Sequence, residues 1–223
     1  MNALRLFRLI VLAVLVAGCT APTRPDRPLD EPAVRDWLQA RAQALAGGEP
    51  VQVALLDGEA IQADLRPDGT LRMWKGLLLR TRDEAEVTFV IAHELAHRSL
   101  GHFDRRESAA DWDPIAAERE ADRQAIDTLR QMGLRADAGT SLLSLLDAEF
   151  ALVLAADDPA RLMVSQRLEA LWELTPPPHE PRDGDGWRPR VDARWETWFA
   201  GDAAARDPIR ERLVRDHVRR AAP

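Results

Sequence analysis

The chain has 223 residues, a formal net charge of −7 and 46% hydrophobic residues. Its acidity gives no general reason to expect nucleic-acid binding, and its single cysteine, Cys19, excludes an intrachain disulfide. With a leader set aside, about 190 residues remain, enough for one domain with a real core.

Residues 1–18 read as a lipoprotein signal peptide. Arg5 and Arg8 supply the positive start, and Leu9 to Ala17 is an apolar run too short to span a bilayer. Val16-Ala17-Gly18-Cys19 then resembles a bacterial lipobox, in which small residues admit the signal peptidase and Cys19 receives the lipid. Thr20 follows it where an Asp would favour retention, which among Gram-negative lipoproteins points to the outer membrane. Residues 19–33, with Pro22, Pro25, Pro28 and Pro32, read as an extended tether.

The expected domain covers residues 34–175. Val34 to Ala46 reads as a helix ended by Gly47-Gly48, and residues 51–56, 60–65 and 71–74 read as strands. Pro67-Asp68-Gly69 marks the turn between the last two. Helices follow at about 83–102, 114–132, 136–155 and 159–174, with a polar loop at 104–113. The plan is α+β, a small antiparallel sheet followed by helices. Residues 176–223 read as a loop and a helical tail, in which Trp195, Trp198 and Phe199 are expected to pack on the core, with a partner- or membrane-facing patch as the alternative, and His179 and His217 to be a loop and a surface histidine.

The chemistry is concentrated in Val90-Ile91-Ala92-His93-Glu94-Leu95-Ala96-His97, the pattern HExxH. On a helix, His93 and His97 lie four residues apart and project from one face. Two imidazoles so placed can grip one Zn²⁺, and Glu94 beside them can take a proton from the attacking water. Twenty-one residues on from His97, Glu118-Arg119-Glu120-Ala121-Asp122 lies in the helix that starts near Pro114. Glu118 and Asp122 share a face, so one carboxylate there can complete a His₂Glu site while the other accepts a hydrogen bond from a ligand imidazole. Glu120 is about 200° away from Glu118 around the helix and cannot face the same metal. His102 is five residues beyond His97, on a different face of a continuous helix, and reads as a supporting histidine and not as a ligand.

The run Gln62-Ala63-Asp64-Leu65-Arg66-Pro67-Asp68-Gly69, then Leu71 to Trp74, Gly76-Leu77-Leu78, His93 to His97 and Glu118 to Asp122, resembles peptidase family M48, the gluzincin-type zinc metallopeptidases that include the CAAX prenyl protease. The resemblance spans roughly Pro50 to Leu146. It implies a zincin fold with one zinc on His93, His97 and Glu118, Glu94 as base and Asp122 supporting a ligand. It also implies that Gln62, Ala63 and Asp64 form an edge strand where substrate peptide adds by β-augmentation. Gln62 and Asp64 depart from the Asn and Phe usual in the family, which bears on substrate preference and leaves the metal chemistry intact. The Thr175-Pro176-Pro177-Pro178-His179 segment has its histidine displaced by three residues from the family's Thr-His-Pro-Pro.

The expected function is therefore a zinc endopeptidase, lipid-anchored through Cys19 and facing the periplasm, acting on unfolded or misassembled envelope proteins in quality control. The alternative is a chaperone-like or binding module that keeps the metal site and cleaves little.

Overall fold

A computed structural model describes residues 27–58 and 60–175. The signal peptide, Cys19, most of the tether, and the tail with His179, Trp195, Trp198, Phe199 and His217 lie outside the described residues.

The described chain runs α1 (Pro32–Leu45), β1 (Gln52–Leu56), β2 (Ala63–Leu65), β3 (Thr70–Trp74), α2 (Lys75–Leu78), α3 (Glu84–Ser99), α4 (His102–Ser108), α5 (Pro114–Gln131), α6 (Ala138–Val153) and α7 (Pro159–Leu174). It is an α+β fold with one three-stranded sheet and a mostly helical remainder. The core joins Leu38 of α1, Leu71 and Met73 of β3, Ile91 of α3, Leu129 of α5 and Leu142 of α6, all 2% exposed or less.

The sheet is mixed, where the sequence suggested antiparallel pairing throughout. Its order is β1-β3-β2, with β2 antiparallel and β1 parallel to β3. The chain runs along β1, back along β2, and then inserts β3 between them. Strands one and three of such a path must run the same way. The tight turn at Gly69 (φ 84°), a left-handed conformation suited to glycine, fixes the antiparallel half.

The tether also ends earlier than expected. Leu29 N–H donates to Leu55 O (3.0 Å), and Asp57 N–H to Arg27 O (2.7 Å). Arg27 to Leu29 thus covers the outer edge of β1, whose backbone groups would otherwise be unpaired.

Local chemistry sets the two helices that matter most. Asp83 caps α3 by accepting from Glu86 N–H (2.9 Å), and every residue from Ala85 to His93 is buried. Asp113 caps α5 by accepting from Ile115 and Ala116 N–H, with Pro114 in its first turn. Ala117, Ala121 and Ala125 form a small-residue row on the buried face of α5, which packs against α3. Small side chains let the two axes approach closely enough for a glutamate on α5 to reach the α3 histidines. A break follows α3: Gly101, at φ 66°, redirects the chain into α4, which occupies part of the span expected to be loop.

Candidate metal centre

His93 and His97 stand one turn apart on α3, 5% and 8% exposed, with both Nε2 atoms turned toward α5. Glu118 meets them from α5. Its Oε2 is 3.2 Å from His93 Nε2, its Oε1 is 3.5 Å from His97 Nε2, and the two Nε2 atoms are 3.2 Å apart. Zinc bound tetrahedrally at about 2.1 Å holds its ligand atoms about 3.4 Å from one another. The triangle has the size and the donor set, two imidazoles and a carboxylate, of a zinc site with one position open.

The groups behind this triangle hold it in place. His93 Nδ1 lies 2.9 Å from Asp122 Oδ1, one turn along α5 from Glu118. Asp122 in turn receives both Nε (2.9 Å) and Nη2 (2.6 Å) of Arg167, and Arg167 Nη1 reaches Glu118 Oε2 (3.1 Å). Arg167 arrives from α7 and is 4% exposed. Sequence reading missed it. The available signal was its place among Met163, Val164, Leu168 and Leu171, the buried stripe of α7, where an arginine needs a carboxylate partner.

Glu94 sits half-buried on the floor of a cleft and accepts the Leu65 N–H at 3.1 Å. Leu65 belongs to β2, whose neighbours Gln62 and Arg66 bond back to β3 (Trp74 N–H to Gln62 O, 3.0 Å; Arg66 N–H to Thr70 O, 2.9 Å). By the alternation of an antiparallel pair, Ala63 and Leu65 turn their backbone groups to the other side, toward the cleft. Ala63 and Asp64 line the cleft with Glu94, whereas Gln62 lies just before the strand. The Asp64 carboxylate is engaged by Arg72 (2.7 and 2.5 Å). Phe103 and Trp112 form one wall, and Leu142, Leu146 and Met163 another.

Burial and the charges around it divide the titratable groups. Burial, with help from Glu118 and Asp64, lifts Glu94 to about 7. For His93, burial and Arg167 favour the neutral ring, but Asp122 and Glu118 outweigh them and raise it to about 9. His97, buried and close to His93, falls to about 3. Burial opposes ionisation of Glu118, yet Arg167 and the histidines hold it down to about 2, and Asp122 is likewise kept well below the carboxylate range by Arg167 and His93. These are values for the metal-free cluster. Pairs of acids pushed apart in this way are characteristic of sites where proton transfer is done.

The family model described as peptidase family M48 matches residues 28–116. That match supports the M48 family for this segment. Among curated proteins none matches the chain. The M48 match includes the whole HExxH turn of α3 and the edge strand, and suggests a metallopeptidase. It stops two residues short of Glu118, so the places of Glu118, Asp122 and Arg167 rest on geometry.

Around His97 the structure adds a second arm. Its Nδ1 is 2.9 Å from His102 Nδ1, and His102 Nε2 is 3.1 Å from Glu120 Oε2, which also accepts from Arg105 Nη1 (2.9 Å). Arg105 and then His102 hold Glu120 below the usual carboxylate range. Glu120, which sequence reading turned away from the metal site, faces away from the His93–His97–Glu118 triangle and reaches His97 through His102.

Proposed function

We propose that this chain is a zinc endopeptidase that hydrolyses peptide bonds in polypeptides laid along β2. The observation that carries the reading is the His93–His97–Glu118 triangle of zinc dimensions, with Glu94 beside it on the cleft floor and the edge strand alongside. One zinc per chain, held by His93, His97 and Glu118, would acidify water and polarise the scissile carbonyl.

The chain's own residues supply the rest. An extended peptide pairs with the cleft-facing backbone of β2 at Ala63, which fixes its direction and leaves side-chain choice to the walls. Glu94, lifted toward neutrality by burial, takes the proton of the attacking water and passes it to the leaving amine. The Leu65 N–H holds one Glu94 oxygen and so aims the other at the cleft. Asp122 and Arg167 keep His93 and Glu118 oriented. No serine or cysteine nucleophile is required.

The lipobox motif and lone cysteine support a lipid anchor on Cys19, and with it a periplasm-facing place at the outer membrane. Substrates there would be unfolded or misassembled envelope proteins, because β-augmentation needs an extended segment. Among the described residues no helix is long and apolar enough to cross a membrane. Replacement of Cys19 by Ser should release the mature domain from the membrane fraction.

The activity is tested by cleavage of an unfolded envelope protein by wild type and Glu94→Gln, with zinc measured on both. Glu94→Gln should keep its zinc and fold and lose several orders of magnitude in rate. Equal cleavage by a zinc-loaded Glu94→Gln would reject the mechanism. Zinc without cleavage by either protein would favour the chaperone-like alternative.

A further inference from the structure

The two ligand histidines are supported differently. His93 Nδ1 meets a carboxylate directly, at Asp122 (2.9 Å). His97 Nδ1 meets another imidazole, His102 Nδ1 (2.9 Å), and the carboxylate, Glu120, lies beyond it (3.1 Å). We propose that His102 is a positioning residue for His97, a relay imidazole of fixed tautomer that joins the metal ligand to the Glu120–Arg105 pair. The inference rests on the zinc reading above and assigns a role outside it.

Hydrogen-bond accounting gives the direction. A His97 that offers the Nε2 lone pair to a metal carries its proton on Nδ1. That N–H points at His102 Nδ1, which must then be the acceptor, so His102 carries its own proton on Nε2. The Nε2–H donates to Glu120, which already accepts from Arg105. Each donor along the chain has one acceptor, and reversing any link leaves two N–H groups facing one another. His102 is 2% exposed, so water cannot substitute for a missing partner at low cost. Trp112 stacks edge-on against its ring at 5.8 Å and limits its rotation.

The backbone explains how a residue on the wrong helical face reaches this place. Five residues on a continuous helix would carry His102 about 140° from His97. The left-handed Gly101 ends α3 at that point and returns His102, the first residue of α4, beneath the ligand ring. Phe103 of the same short helix lines the cleft, so relay and cleft wall share one element.

Two measurements test it, neither of them activity. Zinc affinity by competition with a chelator should be weakened about 10- to 100-fold in His102→Phe, the usual loss when a group supporting a ligand is removed. His102→Asn, whose Oδ1 can stand where Nδ1 stood, should recover most of that loss. Wild-type-like affinity in His102→Phe, or equal losses in both variants, would overturn the proposal. The wild-type protein offers an independent check if His102→Phe misfolds. In the zinc-loaded form, ¹⁵N NMR of the rings should show His97 protonated on Nδ1 and His102 protonated on Nε2 alone. A proton on His102 Nδ1 would contradict the relay. Undiminished zinc affinity in His93→Ala would instead reject the underlying zinc site, a result distinct from failure of the relay.

Discussion

Helix α3 carries a buried ionic cluster at each end, and the two have opposite characters. At the N-terminal end, Asp83 and Glu86, both 0% exposed, meet Arg135 (2.7 and 3.1 Å), and Glu86 also meets Arg82 (2.6 Å) and the Ser141 hydroxyl (3.0 Å). Arg135 adds Asp137 at 3.2 Å. The helix N-terminus contributes further positive potential there. At the C-terminal end, Glu118 and Asp122 share Arg167 (3.1 and 2.6 Å), Glu94 and two imidazoles lie beside them, and a cleft opens onto the group. Burial alone therefore does not mark a functional site. The first cluster closes its charges on one another and ties α3 to α6 and to the segment before it. The second turns a carboxylate and two imidazole nitrogens toward an access route, which is what a divalent cation and a substrate need.

The largest expected effect separates the clusters by stability. Arg135→Met removes the guanidinium that Asp83 and Glu86 share, leaving Glu86 its contact with Arg82, and should cost about 3–5 kcal/mol in denaturant unfolding. The variant that remains folded should bind zinc as wild type does. A tenfold change in its zinc affinity would mean that the two ends of α3 are not independent.

A pH slope is expected from the C-terminal cluster. In chelator-treated protein His93 titrates at about 9, above its ordinary 6.5. Its stabilising contribution is then complete below pH 6.5 and lost as pH rises to 9. Glu94, raised to about 7, removes stability in the same direction from pH 4.5 upward, while His97, lowered to about 3, opposes it up to pH 6.5. The clean window is therefore pH 7 to 9, where thermal unfolding of the metal-free protein should fall steadily. A flat profile there would show that His93 is neutral in the metal-free fold.

Smaller effects grade the groups around the metal. Asp122→Asn should weaken zinc binding about 10- to 100-fold, since it supports His93 directly. Glu120→Ala should have the smallest effect of the α5 acids, because His102 stands between it and the ligand. Chelator competition on the two variants gives the order, and the reverse order would place the stronger support on His97.

Much of this was legible in the sequence because its signals are local. Asp83, Asp113 and Asp158 cap their helices, and proline opens α5 and α7, so the start of each falls within a residue of the position read from the chain. The i, i+4 spacings put His93 with His97, and Glu118 with Asp122, on common faces. What could not be read depends on contacts far apart in the chain. The parallel pairing of β1 with β3 follows from insertion of β3 between its predecessors, which no local pattern announces. Arg167 lies forty-five residues from the Asp122 it neutralises. His102 was legible as a supporting histidine but its contact with His97 was not: a continuous helix would turn it away, and the left-handed Gly101 turns it back.

The central claim is that His93, His97 and Glu118 form the metal site, and zinc content per chain tests it most directly. Wild type and Glu120→Ala, purified with zinc and then desalted, should each retain one zinc per chain, and Glu118→Ala should retain almost none while still folded. Stoichiometric zinc on Glu118→Ala, and above all its loss from Glu120→Ala instead, would contradict the ligand set and the register of α5 against α3 on which it depends.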